Sequence, residues 1–372
     1  MKIGIVTHPL GNNYGGLLQA YALQEVLKRQ GHDVWIFQKR TTSWMLVFLR
    51  SIRNAVYRLL RRFYVSQKDK RMLSRHMLYF SEKYVNPKTP KLGCDVLRRA
   101  YLRKNKFNTL IVGSDQVWRP MYVGNIEYYF LSFTKQFNIR KVAYAASFGV
   151  DNWEFTQRQT DDCKSLIHDF NAVSVREDTG IELCKNYLDY PASLVLDPTL
   201  LLDKEDFIKI INNEGSTPCE GDIFYYFLDR TNDTNDMVSW FEKTTNLVLY
   251  TCMPRKTLYS DMNEHNKGEF VYPPVAQWLR SFYDAKMVLT DSFHGCVFSI
   301  IFNKPFWVIT NKKRGAARFE SLLNIFRLQD RMIPLGKTES IQWDKAIDWE
   351  SVNAIKKEWQ KKSLDFLNTA LS

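Results

Sequence analysis

MVLTDSFHGCVFSIIFNKPFWVI, residues 287–309, reads as strand, small-residue loop, apolar helix and second strand. Met287 to Thr290 is an apolar run of strand length. Asp291-Ser292-Phe293-His294-Gly295 is the loop, and Pro305 to Ile309 is the next strand. A strand that passes into a helix through small residues collects free backbone N–H groups and the positive end of a helix dipole at one point. Anions bind at such points, and His294 adds a side chain that exchanges a proton near neutral pH. The stretch therefore predicts an α/β fold and an anion cradle with a proton donor beside it.

The same grammar recurs along the chain. Ile3 to Thr7 is a strand, and Gly11-Asn12-Asn13-Tyr14-Gly15-Gly16 is a polar loop. Leu17 to Gln30 carries apolar residues at helical spacing up to Gly31, and Val34 to Gln38 is a second strand. Thr109–Val112, Lys141–Ala145, Ala172–Val175 and Leu194–Leu196 are short strands, each ending in a polar or small loop. After the polar run 203–221, expected to be a hinge, a second series follows at Ile223–Leu228, Leu247–Thr251, Met287–Thr290 and Pro305–Thr310. A helical tail runs from about Trp349 to Leu371. Alternating strands and helices predict open parallel sheets with ligand loops at the carboxyl ends of the strands. The expected organisation is a first α/β domain over 1–205, a second over 220–345 and a helical tail over 346–372, with a cleft between the domains.

The 372 residues suffice for two cores, and 45% hydrophobic content with mixed charge argues against disorder. A net charge of +12 suggests an acidic partner. The six cysteines show neither CxxC pairing nor metal-ligand spacing and read as reduced thiols of a cytoplasmic protein; no metal site is expected. No apolar run reaches the length of a membrane span. From Val34 to Lys68 there is no carboxylate, while Arg50, Arg53, Arg58 and Arg61 oppose Ile52, Val56, Leu59, Leu60 and Phe63 on a helical wheel. A basic amphipathic helix near 44–65 either lies on an anionic membrane surface at the inner face of the cytoplasmic membrane or packs its apolar face on its own domain.

Several of the loops resemble, in order, the motifs of the polysaccharide pyruvyl transferase family. They are Asn13-Tyr14-Gly15-Gly16 with Leu18-Gln19-Ala20-Tyr21-Ala22-Leu23-Gln24, Val112-Gly113-Ser114-Asp115-Gln116-Val117-Trp118, Ser174-Val175-Arg176-Glu177, Asp197-Pro198-Thr199-Leu200-Leu201 and Thr290-Asp291-Ser292-Phe293-His294-Gly295. The resemblance implies two Rossmann-like domains facing a cleft, as in the two-domain (GT-B type) glycosyltransferases. It also implies transfer of pyruvate from phosphoenolpyruvate to a sugar of a bacterial surface polysaccharide or its lipid-linked precursor, giving a cyclic ketal. Phosphoenolpyruvate would be a co-substrate and no cofactor would be needed.

That chemistry needs cations and N–H donors for a carboxylate and a phosphate, and an acid to protonate the methylene carbon. His294 is the expected general acid, with capping of its own helix as the alternative. Arg176, at the end of a strand, is the expected catalytic anion clamp, with a surface ion pair to Glu177 or Asp178 as the alternative. Ser292, Gly295, Arg314 and Arg318 complete the expected donor site. Asn13, Tyr14, Gly15 and Gly16, with Asp115 and Gln116, form the expected acceptor site, with a purely structural turn as the alternative for the glycines and a helix cap for Asp115. Asp197 before Pro198 reads as turn geometry, and the other histidines, His8 included, as structural or surface. The competing functions are a glycosyltransferase using a nucleotide sugar and a non-enzymatic binder of membrane or nucleic acid. Basic residues interleaved with aromatics in a recognised nucleic-acid module are lacking, so no nucleic acid is expected as a partner.

Overall fold

The computed structural model describes residues 1–11, 13–40, 66–135, 137–254, 256, 262–263, 265–310, 316–334, 337 and 341–372. Arg314 and the basic segment 44–65 lie outside these residues. Among the described residues the chain forms two parallel sheets. The first contains β1 (Lys2–Val6), β2 (Asp33–Ile36), β3 (Thr109–Val112), β4 (Arg140–Ala146), β5 (Ala172–Val175) and β6 (Ser193–Leu194), in spatial order β2-β1-β3-β4-β5-β6. The second contains β7 (Ile223–Tyr226), β8 (Leu249–Tyr250), β9 (Met287–Thr290), β10 (Phe306–Thr310) and β11 (Met332–Pro334), in order β11-β10-β9-β7-β8. Ile3, Ile5, Leu110, Ile111, Val288 and Leu289 are fully buried, as expected of central parallel strands covered by helices on both faces. The two halves are Rossmann-like domains facing a cleft.

Strand order fixes where a ligand can enter. In the first sheet the chain winds outward from β1 to β2 and then returns to β3 on the other side, so the crevice opens between the carboxyl ends of β1 and β3. In the second sheet the same reversal falls between β7 and β9. The two crevices face one another, which brings the loops after β1, β3, β7 and β9 into one cavity of about 610 Å³.

Part of the polar run expected to be a hinge is helical. Lys204–Asn213 folds because Phe207, Ile210 and Ile211 recur at helical spacing and are buried, with Asp203 supplying a capping box. Arg29 at the end of the first helix, Tyr14–Arg29, pairs with Asp206 in two bonds of 2.9 and 3.0 Å, tying this connector to the first domain. The final helix, Trp349–Leu371, returns to the first domain as well. Leu196 N–H donates to Ser363 Oγ at 3.0 Å, Gln360 donates to the Leu200 carbonyl at 2.8 Å, and Arg140 donates to the Ala370 carbonyl at 2.9 Å. No helix among the described residues is long and apolar enough to cross a membrane.

Candidate active site

The helix Phe293–Ile301 starts directly after β9, and its N-cap Ser292 makes no side-chain bond to it. Its first N–H groups are therefore left for a ligand or water. Asp291 joins the two strand ends of the second domain: its carboxylate accepts from Leu228 N–H at 2.6 Å and Asp229 N–H at 2.9 Å. Gly295 is required by packing, since a side-chain carbon there would fall on the Thr290 side chain.

His294 is the point at which the domains meet. Its imidazole is buried, lines the cleft and lies so close to Gly15, in the first turn of the first helix, that a methyl group on Gly15 would fall inside the ring. On its other side Nε2 lies 3.6 Å from Asp197 Oδ2 of the first domain, ion-pair range but longer than a hydrogen bond. Asp197 is fully enclosed and uses both oxygens. Oδ1 accepts from Thr199 N–H and Oγ1 at 3.1 and 2.7 Å, and Oδ2 accepts from Arg176 Nη1 at 2.9 Å. Burial pushes its carboxyl up, but the facing His294 and Arg176 outweigh burial and hold it well below the usual carboxylate range. An ionised Asp197 thus gives a protonated His294 its counter-charge. The local sequence shows only a turn here, and the turn is real, since Asp197 caps Pro198–Leu201. The second oxygen's partners, Arg176, His294 and Ser114, whose Oγ donates at 3.4 Å, are 21, 97 and 83 residues away along the chain, so no local pattern announced them.

Arg176 requires a correction. Its side chain is 1% exposed, with Nη1 on Asp197 at 2.9 Å, Nη2 on Asp115 at 3.0 Å and Nε 3.8 Å from Glu177. Three protein carboxylates surround the guanidinium, and its flat face lies 4.5 Å from the Phe293 ring centroid. It does not line the cleft, so it holds the site together rather than gripping a ligand. Glu177 in turn accepts from Phe148 and Gly149 N–H at 2.7 and 3.2 Å, fixing the loop after β4.

Arg318 occupies the place expected of a clamp. It lines the cleft, has no carboxylate within ion-pair distance among the described residues, and its buried Nε has no hydrogen-bond partner. Burial, with the neighbouring Arg176 charge, lowers its pKa to about 10, which leaves it protonated at neutral pH.

The first-domain wall divides the expected acceptor residues. Asn13, Gly16, Asp115 and Gln116 line the cleft. Tyr14 does not: it stacks on Trp278 with centroids 5.1 Å apart and donates to the Pro273 carbonyl at 2.7 Å, so it belongs to the seam between domains. Gly15 serves the His294 contact instead of a ligand. Asp115 sits at φ 77°, a left-handed conformation uncommon outside glycine and typical of residues whose surroundings fix them at functional sites. Burial raises its carboxyl, but Arg176, His8 and His294 prevail and bring it down to about 2. His8, set aside in the sequence reading, lines the cleft directly after β1. Its place at a strand's carboxyl end was the available signal.

Fold and cleft define a protein with the two-domain (GT-B type) fold of glycosyltransferases and epimerases. The fold is similar to UDP-GlcNAc 2-epimerase from Methanocaldococcus jannaschii, at 12% identity and TM-score 0.57, covering 99% of this chain and 100% of that one. It is also similar to a glycosyltransferase from Rickettsia africae ESF-5, at 9% identity and TM-score 0.52, covering 100% of this chain and 95% of that one. The chain belongs to the polysaccharide pyruvyl transferase family, whose sequence model matches residues 13–313. No curated protein matches the sequence.

The Gly15 contact is testable. Gly15→Ala is expected to displace the His294 ring and lower turnover by about 10- to 100-fold, the scale of a small misplacement of a reacting group. Retained turnover with a folded Gly15→Ala protein would mean that the ring is free to move without cost.

Proposed function

We propose that this transferase moves a pyruvyl group from phosphoenolpyruvate to two hydroxyls of a sugar in a surface polysaccharide or its precursor. The observation that supports this most is the juxtaposition in one cleft of His294, backed by Asp197, with an Arg318 that has no ion pair among the described residues and a helix N-terminus without a side-chain cap. Arg318 and the N–H groups of the helix Phe293–Ile301 hold the carboxylate and phosphate of the donor. His294 delivers a proton to the methylene carbon, which becomes the ketal methyl group, and Asp197 stabilises the charge on the histidine until the proton leaves. The first sugar hydroxyl adds to C2 and loses its proton. The C2–O bond to phosphate then breaks, inorganic phosphate departs, and the second hydroxyl closes the ring on C2 as it loses a proton.

Asn13, Asp115 and Gln116 face the acceptor. With its carboxyl held at about 2, Asp115 is a weak base at neutral pH and serves as a hydrogen-bond acceptor for sugar hydroxyls. His8, on the same wall, is placed to take a hydroxyl proton. On this reading the enzyme needs no cofactor and works in the cytoplasm, next to the membrane if the carboxylate-free basic run 34–68 attaches it there.

The test is incubation with phosphoenolpyruvate and a panel of glycans, following phosphate release and the ketal methyl signal. Consumption of a nucleotide sugar in place of phosphoenolpyruvate would replace this reading with glycosyl transfer. Arg318→Ala is expected to weaken phosphoenolpyruvate binding about 10- to 100-fold, the worth of one or two charge-assisted bonds, in calorimetry. Unchanged affinity would move the clamp elsewhere on the cleft wall.

A further inference from the structure

A second cavity of about 510 Å³ adjoins the main cleft in the first domain, across a wall shared through His8, Pro9 and Tyr122. Its lining carries Lys39, Arg40 and Arg98 against one carboxylate, Asp95. That carboxylate is already engaged by Arg98, which also donates to the Leu92 carbonyl at 3.2 Å and is thereby fixed in place. Lys39 differs. It is half-buried, has no carboxylate within ion-pair distance among the described residues, and holds its ammonium 4.3 Å from the Tyr128 ring centroid and 5.4 Å from that of Tyr129. Burial first, then the like charge of Arg98, lowers its pKa. A desolvated ammonium held on aromatic faces beside a second cation is costly alone and is relieved by an anion.

We propose that this cavity is a second anion subsite, separate from the pyruvyl cleft. Lys39 there holds the phosphate or diphosphate ester of the acceptor, and the attached sugar reaches past His8 into the main cleft. The identity of the ligand as the acceptor rests on the pyruvyl-transfer reading, whereas binding of a phosphate ester at Lys39 does not require it.

Calorimetry on the full chain with farnesyl diphosphate, inorganic pyrophosphate, UDP and farnesol separates the possibilities. Farnesyl diphosphate is expected to bind, Lys39→Ala to weaken it at least tenfold, Lys39→Arg to restore it, and saturating phosphoenolpyruvate to leave it unchanged. Tighter binding of farnesyl diphosphate than of pyrophosphate or UDP supports a lipid carrier. Equal binding of all three, still dependent on Lys39, supports the subsite with a water-soluble phosphate ester as its source. Unchanged affinity in a folded Lys39→Ala protein, displacement by phosphoenolpyruvate, or equal binding of farnesol would each overturn the proposal. Lys39-dependent binding in a protein that does not bind phosphoenolpyruvate would sink the pyruvyl-transfer reading and leave this subsite standing.

Discussion

His294→Gln is expected to lower turnover by roughly 10²- to 10⁴-fold, the usual cost of losing a general acid. Glutamine fills similar space and retains a donor, but it cannot deliver a proton to carbon. Donor binding should survive, because Arg318 and the helix N-terminus are untouched and glutamine brings no new charge. Reaction in heavy water gives a second readout: the proposed step places one solvent-derived hydrogen in the ketal methyl group, and the residual product of the variant should form at a rate insensitive to buffer-controlled ionisation of a histidine. Asp197→Asn should reduce turnover in the same direction, since it removes the counter-charge 3.6 Å from Nε2 while preserving the shape of the side chain. Near-normal turnover in a folded His294→Gln protein would take the proton-transfer role away from His294.

The parts of this site that the sequence disclosed share a physical origin. Thr109–Val112, Ala172–Val175 and Met287–Thr290 are strands buried on both faces, so they appear as uninterrupted apolar runs whose ends can be read to the residue. The loops after them carry polar residues because they meet the cleft, which is why Asp115, Gln116, Ser292 and His294 could be picked out. What stayed hidden depends on contacts across the domain seam. Tyr14 looks like a ligand-binding residue in its loop, and only the approach of Trp278, far along the chain, turns it into a packing element. Arg176 looks like a free clamp until Asp115 and Asp197 close on it from two other strand ends. The polar composition of 203–221 masked Phe207, Ile210 and Ile211, whose spacing is enough to fold the helix Lys204–Asn213. Charge signs and loop positions were legible in the sequence; which charge would be neutralised by the protein itself was not.

The second large effect follows from that neutralisation. Arg176→Ala is expected to destabilise the fold by about 3–5 kcal/mol, the scale for removing one member of a buried ion pair and leaving its partners uncompensated. Asp115 and Asp197 would remain buried, with Glu177 beside them and no guanidinium between them. The pH dependence identifies the cause. In the unaltered protein both carboxyls titrate below their unfolded value of about 3.9, with Asp115 at about 2. Their stabilising contribution is therefore complete above that unfolded value and is lost as pH falls through the folded ones. Without Arg176 a main offset to burial is lost and both carboxyls shift upward, Asp197 less because His294 and Thr199 still hold it down, so the variant is relieved by protonation at a pH where the unaltered protein still has its ion pairs. The stability gap in urea denaturation should accordingly be widest near neutral pH and narrow on acidification below about pH 5. Arg318→Ala should show a much smaller gap, since Arg318 makes no ion pair among the described residues and is the last of the charges that lower Asp115. A gap independent of pH in Arg176→Ala would assign the loss to packing against Phe293 instead of to charge.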